Sequence, residues 1–235
     1  MAADFNSPWY PYERTSAAYN TFRGAELIPK LLIRYLMDLA DANGYAPTDD
    51  NNRPRVRLMK YLYYDGPKPL AQTLPTDEEK RSIYYDGEDM AVNSEIDKIL
   101  HPAGFRLYAQ QYWVPATFDA KTTLKCYIGK VTPYSPFSAS IGITFEIACN
   151  YANDTALRTN AYSRLFAMEC ALIEALHGVN ITGVGVVDFN RMAHSDAGSR
   201  PYRDEGTHVF RYVNFSVQWA ESSPPEGTTT TEYEE

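Results

Sequence analysis

The sequence predicts an α+β protein in which an antiparallel or mixed β-sheet is packed by two main helices and carries a long loop or hairpin insertion. Two segments have the 3.6-residue period of amphipathic helices, and several others alternate apolar and polar residues with the period of two of a half-buried strand. The chain of 235 residues is long enough for one large domain with a sizeable core.

We expect this domain to cover residues 23–221. Residues 1–22 combine proline, serine, asparagine and aromatic residues without periodicity, which predicts an extended N-terminal arm. Residues 222–235, SSPPEGTTTTEYEE, have little to bury and predict a disordered acidic tail. Residues 65–118 lack a long periodic segment and therefore predict an extended insertion. Loops of this length in a compact domain are usually functional or ordered by a partner.

The first helix is predicted between Arg23 and Ala40. Pro29 suits its first turn, and Asn43-Gly44 supplies a stop signal. The apolar residues fall on one helical stripe: Leu27, Leu31, Leu32, Tyr35, Leu36 and Leu39.

Residues 55–64 alternate and predict a strand, with Lys60 as the exception on its apolar face. This segment ends in Tyr63-Tyr64-Asp65-Gly66, and the same tetrapeptide recurs at residues 84–87. Asp-Gly after paired aromatic residues is a turn signal, so two similar turns are expected rather than duplicated domains. Within the insertion, residues 77–81 predict a solvated helical turn capped by Thr76.

The middle of the chain predicts two strands and a second helix. Leu124, Cys126 and Ile128 alternate with polar residues until the segment 132–136 interrupts them, and residues 141–150 form the cleanest alternation in the chain. Residues 157–177 then switch to a helical period, with His177-Gly178 at the position of a C-terminal cap.

The segment VNITGVGVVDF, residues 179–189, contains a G-x-G motif. Phosphate-binding glycines follow a strand and open a helix, whereas these follow a helix and lie in an extended segment. The motif therefore predicts a bulge or a close backbone approach within a strand. Residues 207–220 predict the last strand, paired with 179–189 as a long hairpin.

The bulk composition and the polar motifs do not favour an enzyme. A net charge of −8 argues against a protein that grips nucleic acid, because phosphate contacts require clustered basic residues. The three cysteines lie far apart and are expected to be small core residues. The adjacent His194, Ser195 and Asp196 match no catalytic motif, and the histidines and acidic residues of the 190–208 loop match no metal-binding spacing. We expect no catalytic residue, cofactor or bound metal.

The order of these elements resembles that of the tail terminator or tail completion family of tailed bacteriophages, which also supplies neck proteins. Four segments carry the resemblance: IGITFEIACN (141–150), AYSRLFAMECALIEALHG (161–178), VNITGVGVVDF (179–189) and HVFRYVNFSVQWA (208–220). The resemblance implies a structural virion protein that is assembled in the host cytoplasm and forms a ring, usually hexameric, between the tail tube and the connector. DNA would pass through this ring without specific binding, and no membrane would be involved.

The family's architecture places subunit and tail contacts on the outer face of the sheet and on the insertion. The residues expected there are Tyr63, Tyr64, Tyr84, Tyr85, Phe210, Tyr212, Arg200 and Arg203. The chain's 19 tyrosines favour such use because tyrosine is enriched at interfaces.

Two alternatives of other classes stay open. One is a metal- or ligand-dependent enzyme that uses the 190–208 loop, which would retain a metal or nucleotide on purification. The other is a tyrosine-rich adaptor that binds a protein partner and is monomeric alone.

Overall fold

The computed structural model describes residues 25–38, 49–85, 105–109, 122–135, 138–155, 163–189, 200–203 and 208–220. In these residues five α-helices accompany one mixed β-sheet of eight strands. The predicted α+β fold class is confirmed.

The helices follow one another along the chain in this order: α1 (Ile28–Met37), α2 (Pro54–Tyr63), α3 (Asp77–Ser82), α4 (Tyr151–Thr155) and α5 (Arg164–Leu176). Short 3₁₀ turns occupy Ala25–Leu27 and Pro69–Ala71. The predicted helices at 23–40 and 157–177 are therefore confirmed as α1 and α5 within the described residues.

The strands are β1 (Tyr84–Tyr85), β2 (Leu107–Tyr108), β3 (Thr123–Ser135), β4 (Ser138–Asn150), β5 (Asn180–Ile181), β6 (Gly185–Asp188), β7 (Arg200–Arg203) and β8 (His208–Ala220). Their order across the sheet is β1-β2-β3-β4-β8-β6-β5, and β7 pairs with β8. The pairs β1-β2 and β2-β3 are parallel, and the others are antiparallel.

The centre of the sheet is the antiparallel set β3, β4 and β8. β4 pairs with β8 along its whole length, from Ser138↔Ala220 to Asn150↔His208. Alternate residues of β4 are fully buried at 0% exposure: Ile141, Ile143, Phe145, Ile147 and Cys149. This side of the sheet is the core face, as expected when strand side chains alternate between two faces.

Helices α1 and α5 pack against the core face, and α2 packs against α5. α5 begins at the N-cap residue Ser163, whose side chain accepts a hydrogen bond from the Phe166 N–H. It ends at His177 and Gly178, whose φ of +76° suits glycine, so the predicted C-terminal cap is confirmed. The helices and the core face together enclose the hydrophobic core.

The predicted strand at residues 55–64 is wrong, because this segment is helix α2. Pro54 lies in its first turn, where proline costs no hydrogen bond. Six of its residues are buried, and they lie on several sides of the helix: Val56, Leu58, Met59, Lys60, Tyr61 and Leu62. Burial on several sides produced an apparent alternation that mimics a strand.

The segment 65–118 is not simply an extended insertion. It contains α3, β1 and β2, and β2 continues the sheet by parallel pairing with β3 at Leu107↔Leu124. The predicted cap of the helical turn is confirmed: Thr76 and Glu79 form a reciprocal capping box.

The interruption predicted at residues 132–136 is also wrong for the described part, because β3 continues to Ser135. The pairing of β3 with β4 shifts register between Ile128 and Val131 and again between Pro133 and Ser135. A Cβ atom on Gly142 would lie 2.8 Å from the Lys130 carbonyl oxygen, so only glycine fits beside this bulge.

The G-x-G motif forms the turn of a small hairpin between β5 and β6 rather than a strand bulge. Gly183 and Gly185 have φ values of +78° and +94°, which glycine adopts without strain. The predicted long hairpin with the last strand is shorter than expected, since β6 meets β8 only at Val187↔Val217 and Asp188↔Ser216. β4 occupies the other side of β8 along its full length.

Several predictions lie outside the described residues: the arm 1–22, the tail 222–235, the stop signal Asn43-Gly44, the second half of the repeated tetrapeptide at 86–87, and most of the 190–208 loop.

Candidate functional site

Tyr63 and Tyr64 lie at the end of α2, where they are half-buried. Their rings meet edge to face with centroids 4.9 Å apart. The Tyr63 hydroxyl donates to Glu79 Oε1 at 3.3 Å, and burial followed by the Glu79 charge raises the pKa of Tyr63. The pair therefore connects α2 to α3.

The turn after these tyrosines is fixed by a fully buried arginine. Arg164 Nη1 donates to the carbonyl oxygens of Tyr61 at 2.7 Å and Tyr64 at 2.8 Å, and its Nη2 donates to the Gly66 carbonyl. Burial lowers the pKa of Arg164. These bonds satisfy carbonyl groups at the C-terminus of α2 that have no partner within the helix.

Asp65 completes this cluster and connects it to the segment 105–109. It accepts two hydrogen bonds from Arg106, at 2.8 and 3.1 Å, and one from Asn153 Nδ2 at 2.8 Å. Asn153 also donates to Thr122 Oγ1 at 3.1 Å. The repeated tetrapeptide at 63–66 is thus a junction of several elements.

Tyr84 and Tyr85 form β1 at the edge of the sheet. Tyr84 is half-buried, whereas Tyr85 is only 6% exposed and its ring packs against Phe105 and Tyr108, with centroids 5.2 and 5.9 Å away. Tyr85 therefore stabilises the sheet, and its ring is not available for contact with a partner.

The remaining predicted interface residues lie together on β7 and β8. Phe210 and Tyr212 are half-buried on the face of β8 opposite to the core face, which we call the outer face. The backbone of Arg200 pairs with Tyr212 and that of Arg203 pairs with Val209. Phe210 and Tyr212 lie apart from the cluster around Tyr63 and Tyr64, because α2 packs on α5 at the core side of the sheet.

An ion pair that the sequence did not predict lies beside Tyr212. Lys125 Nζ is 2.6 Å from Glu146 Oε1, and the two side chains are 9% and 10% exposed. Lys125 is in register with Glu146, Glu146 with Tyr212, and Tyr212 with Arg200. These positions form one row across four strands.

The outer face around this row is aromatic and polar. Burial, followed by the charge of Glu146 and the proximity of Tyr212, raises the pKa of Tyr127 to about 12. Thr144 donates to Asn214 Oδ1 at 2.9 Å on the same face. Such a surface holds a paired charge among rigid aromatic rings, which suits specific protein contact because aromatic residues are enriched at interface cores.

A concave surface lies between α1, α2 and α5, and we call it the α2 groove. It has a volume of about 290 Å³. Its lining contains the ring of Tyr35 and the apolar residues Pro54, Val56, Ala175 and Val179, and its polar members are Arg53, Arg55 and Glu174.

His177 takes a structural role at the end of α5. Its Nδ1 accepts a hydrogen bond from the Phe189 N–H at 3.1 Å and lies 3.2 Å from Asp188 Oδ1. Within the described ranges, no three histidine, cysteine or carboxylate side chains come close enough to hold a metal. Among the described helices none is long and apolar enough to cross a membrane.

Comparisons with protein-family models, curated proteins and solved structures found no match to this chain.

The pair Lys125 and Glu146 and the α2 groove were missed because neither has a local signal. Lys125 and Glu146 lie on the polar sides of two predicted strands, and only the register of β3 with β4 brings them together. The groove combines residues from α1, α2 and the end of α5 with Val179 after it, and these elements are far apart in the chain.

Proposed function

We propose that the protein is a structural virion subunit of a tailed bacteriophage, a tail terminator or neck protein that forms a ring at the head-tail junction. The ring, a hexamer by the resemblance, would close the tail tube and meet the connector while DNA passes through it. The succession of β4, α5, the β5-β6 hairpin and β8, which covers the four segments that suggested the family, supports this proposal.

The observation that carries the proposal is the outer face of β3, β4 and β8. Tyr127, Phe210 and Tyr212 are half-buried there beside the Lys125–Glu146 pair. Tyrosine gives a large rigid contact area at low cost in conformational entropy, and a neutralised pair adds directionality without a net charge. We assign this face to contact between copies of the chain.

The test compares Tyr212→Ala with Tyr151→Ala by sedimentation velocity. Tyr151 is 46% exposed on α4 and serves as the matched control. Tyr212→Ala should shift the protein toward smaller species at a fixed concentration, while Tyr151→Ala should sediment like the parent. Equal behaviour of the two variants would count against the outer face.

Tyr85 is unsuitable for such a test because its ring is buried. Tyr85→Ala would lose contacts with Phe105 and Tyr108 and destabilise the monomer by about 3–5 kcal/mol, as other aromatic-to-alanine changes in cores do. A loss of assembly in that variant would not identify an interface.

A further inference from the structure

We propose that the α2 groove binds the acidic C-terminal segment of the same chain, residues 222–235. This proposal does not depend on the ring, because it concerns one chain and one groove. It is carried by the charge of the groove, the composition of the segment and the short distance between the groove and β8.

The groove carries positive charge in a chain whose net charge is −8. Arg53 is exposed and lines the groove at the N-terminus of α2. Arg55 stacks its guanidinium over the Tyr35 ring, 4.4 Å from the centroid, and donates to the carbonyl oxygens of Tyr35 and Asp38. Carbonyl oxygens are neutral acceptors, so these bonds hold the guanidinium in place without cancelling its charge.

The negative charge of Glu174, the acidic residue that lines the groove, is balanced by a third arginine. Glu174 accepts a hydrogen bond from Arg57, which is on the following turn of α2. Arg53 and Arg55 therefore leave an excess of positive charge over the apolar part of the groove. Such a surface favours a ligand that combines carboxylates with an apolar or aromatic group.

Residues 222–235 have this composition. The segment contains four glutamates and no lysine or arginine, and it ends in Glu232-Tyr233-Glu234-Glu235. Tyr233 can enter the apolar part of the groove beside Tyr35, while the flanking carboxylates meet Arg53 and Arg55. Carboxylates pair well with the planar guanidinium group.

β8, the strand that precedes the segment, passes close to the groove. Val217 of β8 pairs with Val187, and the Val187 N–H donates to the carbonyl oxygen of Val179 at 3.0 Å. Neighbouring hydrogen-bonded strands lie about 4.8 Å apart, so two such spacings place Val217 about 10 Å from Val179, which lines the groove. The stretch from Ala220 to Tyr233 can span about 40 Å when extended, so the groove is well within its reach.

The test uses the full chain with a photoreactive phenylalanine analogue in place of Tyr233. After irradiation, denaturing electrophoresis separates internal cross-links from those between chains, and mass spectrometry locates the attachment. We expect a cross-link within one chain, in the peptides that contain Tyr35 or Ala175–Val179. Cross-links spread over unrelated surfaces, or cross-links to the groove of a second copy, would overturn the proposal.

Charge variants test the recognition itself. Arg53→Glu should lower the yield of the groove cross-link by roughly tenfold, because a like charge then faces the glutamates. Lys68→Glu is the matched control, since Lys68 is exposed beyond the opposite end of α2. Combining Arg53→Glu with Glu232→Lys and Glu234→Lys should restore the yield. An equal loss in the two single variants, or no rescue by the reversed charges, would refute pairing between Arg53 and the segment.

Discussion

Lys125 and Glu146 form a buried ion pair between neighbouring strands, with Nζ and Oε1 2.6 Å apart. They lie on the outer face of the sheet, next to Tyr127 and Tyr212. Burying these two charges costs desolvation energy, and only their mutual attraction offsets it. The folded protein therefore tolerates either charge only when its partner is present.

Removing one partner of this pair should therefore destabilise the protein more than removing both. Glu146→Leu leaves the Lys125 ammonium buried without its carboxylate and should lower the free energy of unfolding by about 3–5 kcal/mol. Lys125→Met combined with Glu146→Leu should recover most of this loss. Urea unfolding of the two proteins measures the difference, and a double variant as unstable as the single one would contradict this interpretation.

Arg164 should be irreplaceable at the end of α2. Its guanidinium donates to the carbonyls of Tyr61, Tyr64 and Gly66. Arg164→Ala leaves these groups without a donor and should cost about 3–5 kcal/mol. Arg164→Lys should recover little, because a single ammonium cannot reproduce the planar fork. Thermal unfolding provides the comparison, and full recovery by lysine would be inconsistent with this role.

Two carboxylates should make stability sensitive to acid. The side-chain hydrogen bond from Lys60 lowers the pKa of Asp49, and that from Lys80 lowers the pKa of Asp77. A carboxyl whose pKa is lower in the folded state stabilises the protein above its unfolded pKa of about 3.9 and loses this contribution as the pH falls through the folded value.

Asp49→Asn and Asp77→Asn should each reduce stability near neutral pH and make its decline below about pH 4 shallower. Unfolding by urea at a series of pH values measures both effects. A variant with the parent's slope in acid would show that its carboxylate does not contribute.

The cysteines should differ in reactivity. Cys126 and Cys149 are fully buried, and burial raises the pKa of both thiols, whereas Cys170 is only half-buried on α5. The thiolate is the reactive form, so a thiol reagent should modify Cys170 first in the folded protein and the other two only on unfolding. Mass spectrometry of the labelled peptides checks the order, and early modification of Cys126 would contradict the buried core.

The periodic elements were predictable because their burial is one-sided. The alternation of Ile141, Ile143 and Phe145 predicts β4, and the helical row through Leu165, Met168 and Leu172 predicts α5, since each element buries one face. α2 was mistaken for a strand because its buried residues, among them Val56, Tyr61 and Leu62, lie on different sides of one helix.

Contacts between distant segments could not be predicted from the sequence. Arg164 is a polar residue at the start of a helix, and nothing local indicates that it is 0% exposed beneath the turn at Gly66. Of the predicted interface residues, Phe210 and Tyr212 lie on the outer face, whereas Tyr85 is buried because Phe105 and Tyr108 pack over it.

The mass of the purified protein in solution tests the proposed ring most directly. Light scattering over a range of concentrations, followed by negative-stain microscopy of the largest species, should find a closed ring of several subunits with an open centre. A protein that stays monomeric at every concentration, with no ring in the images, would contradict the proposal that this chain assembles through the outer face of its sheet.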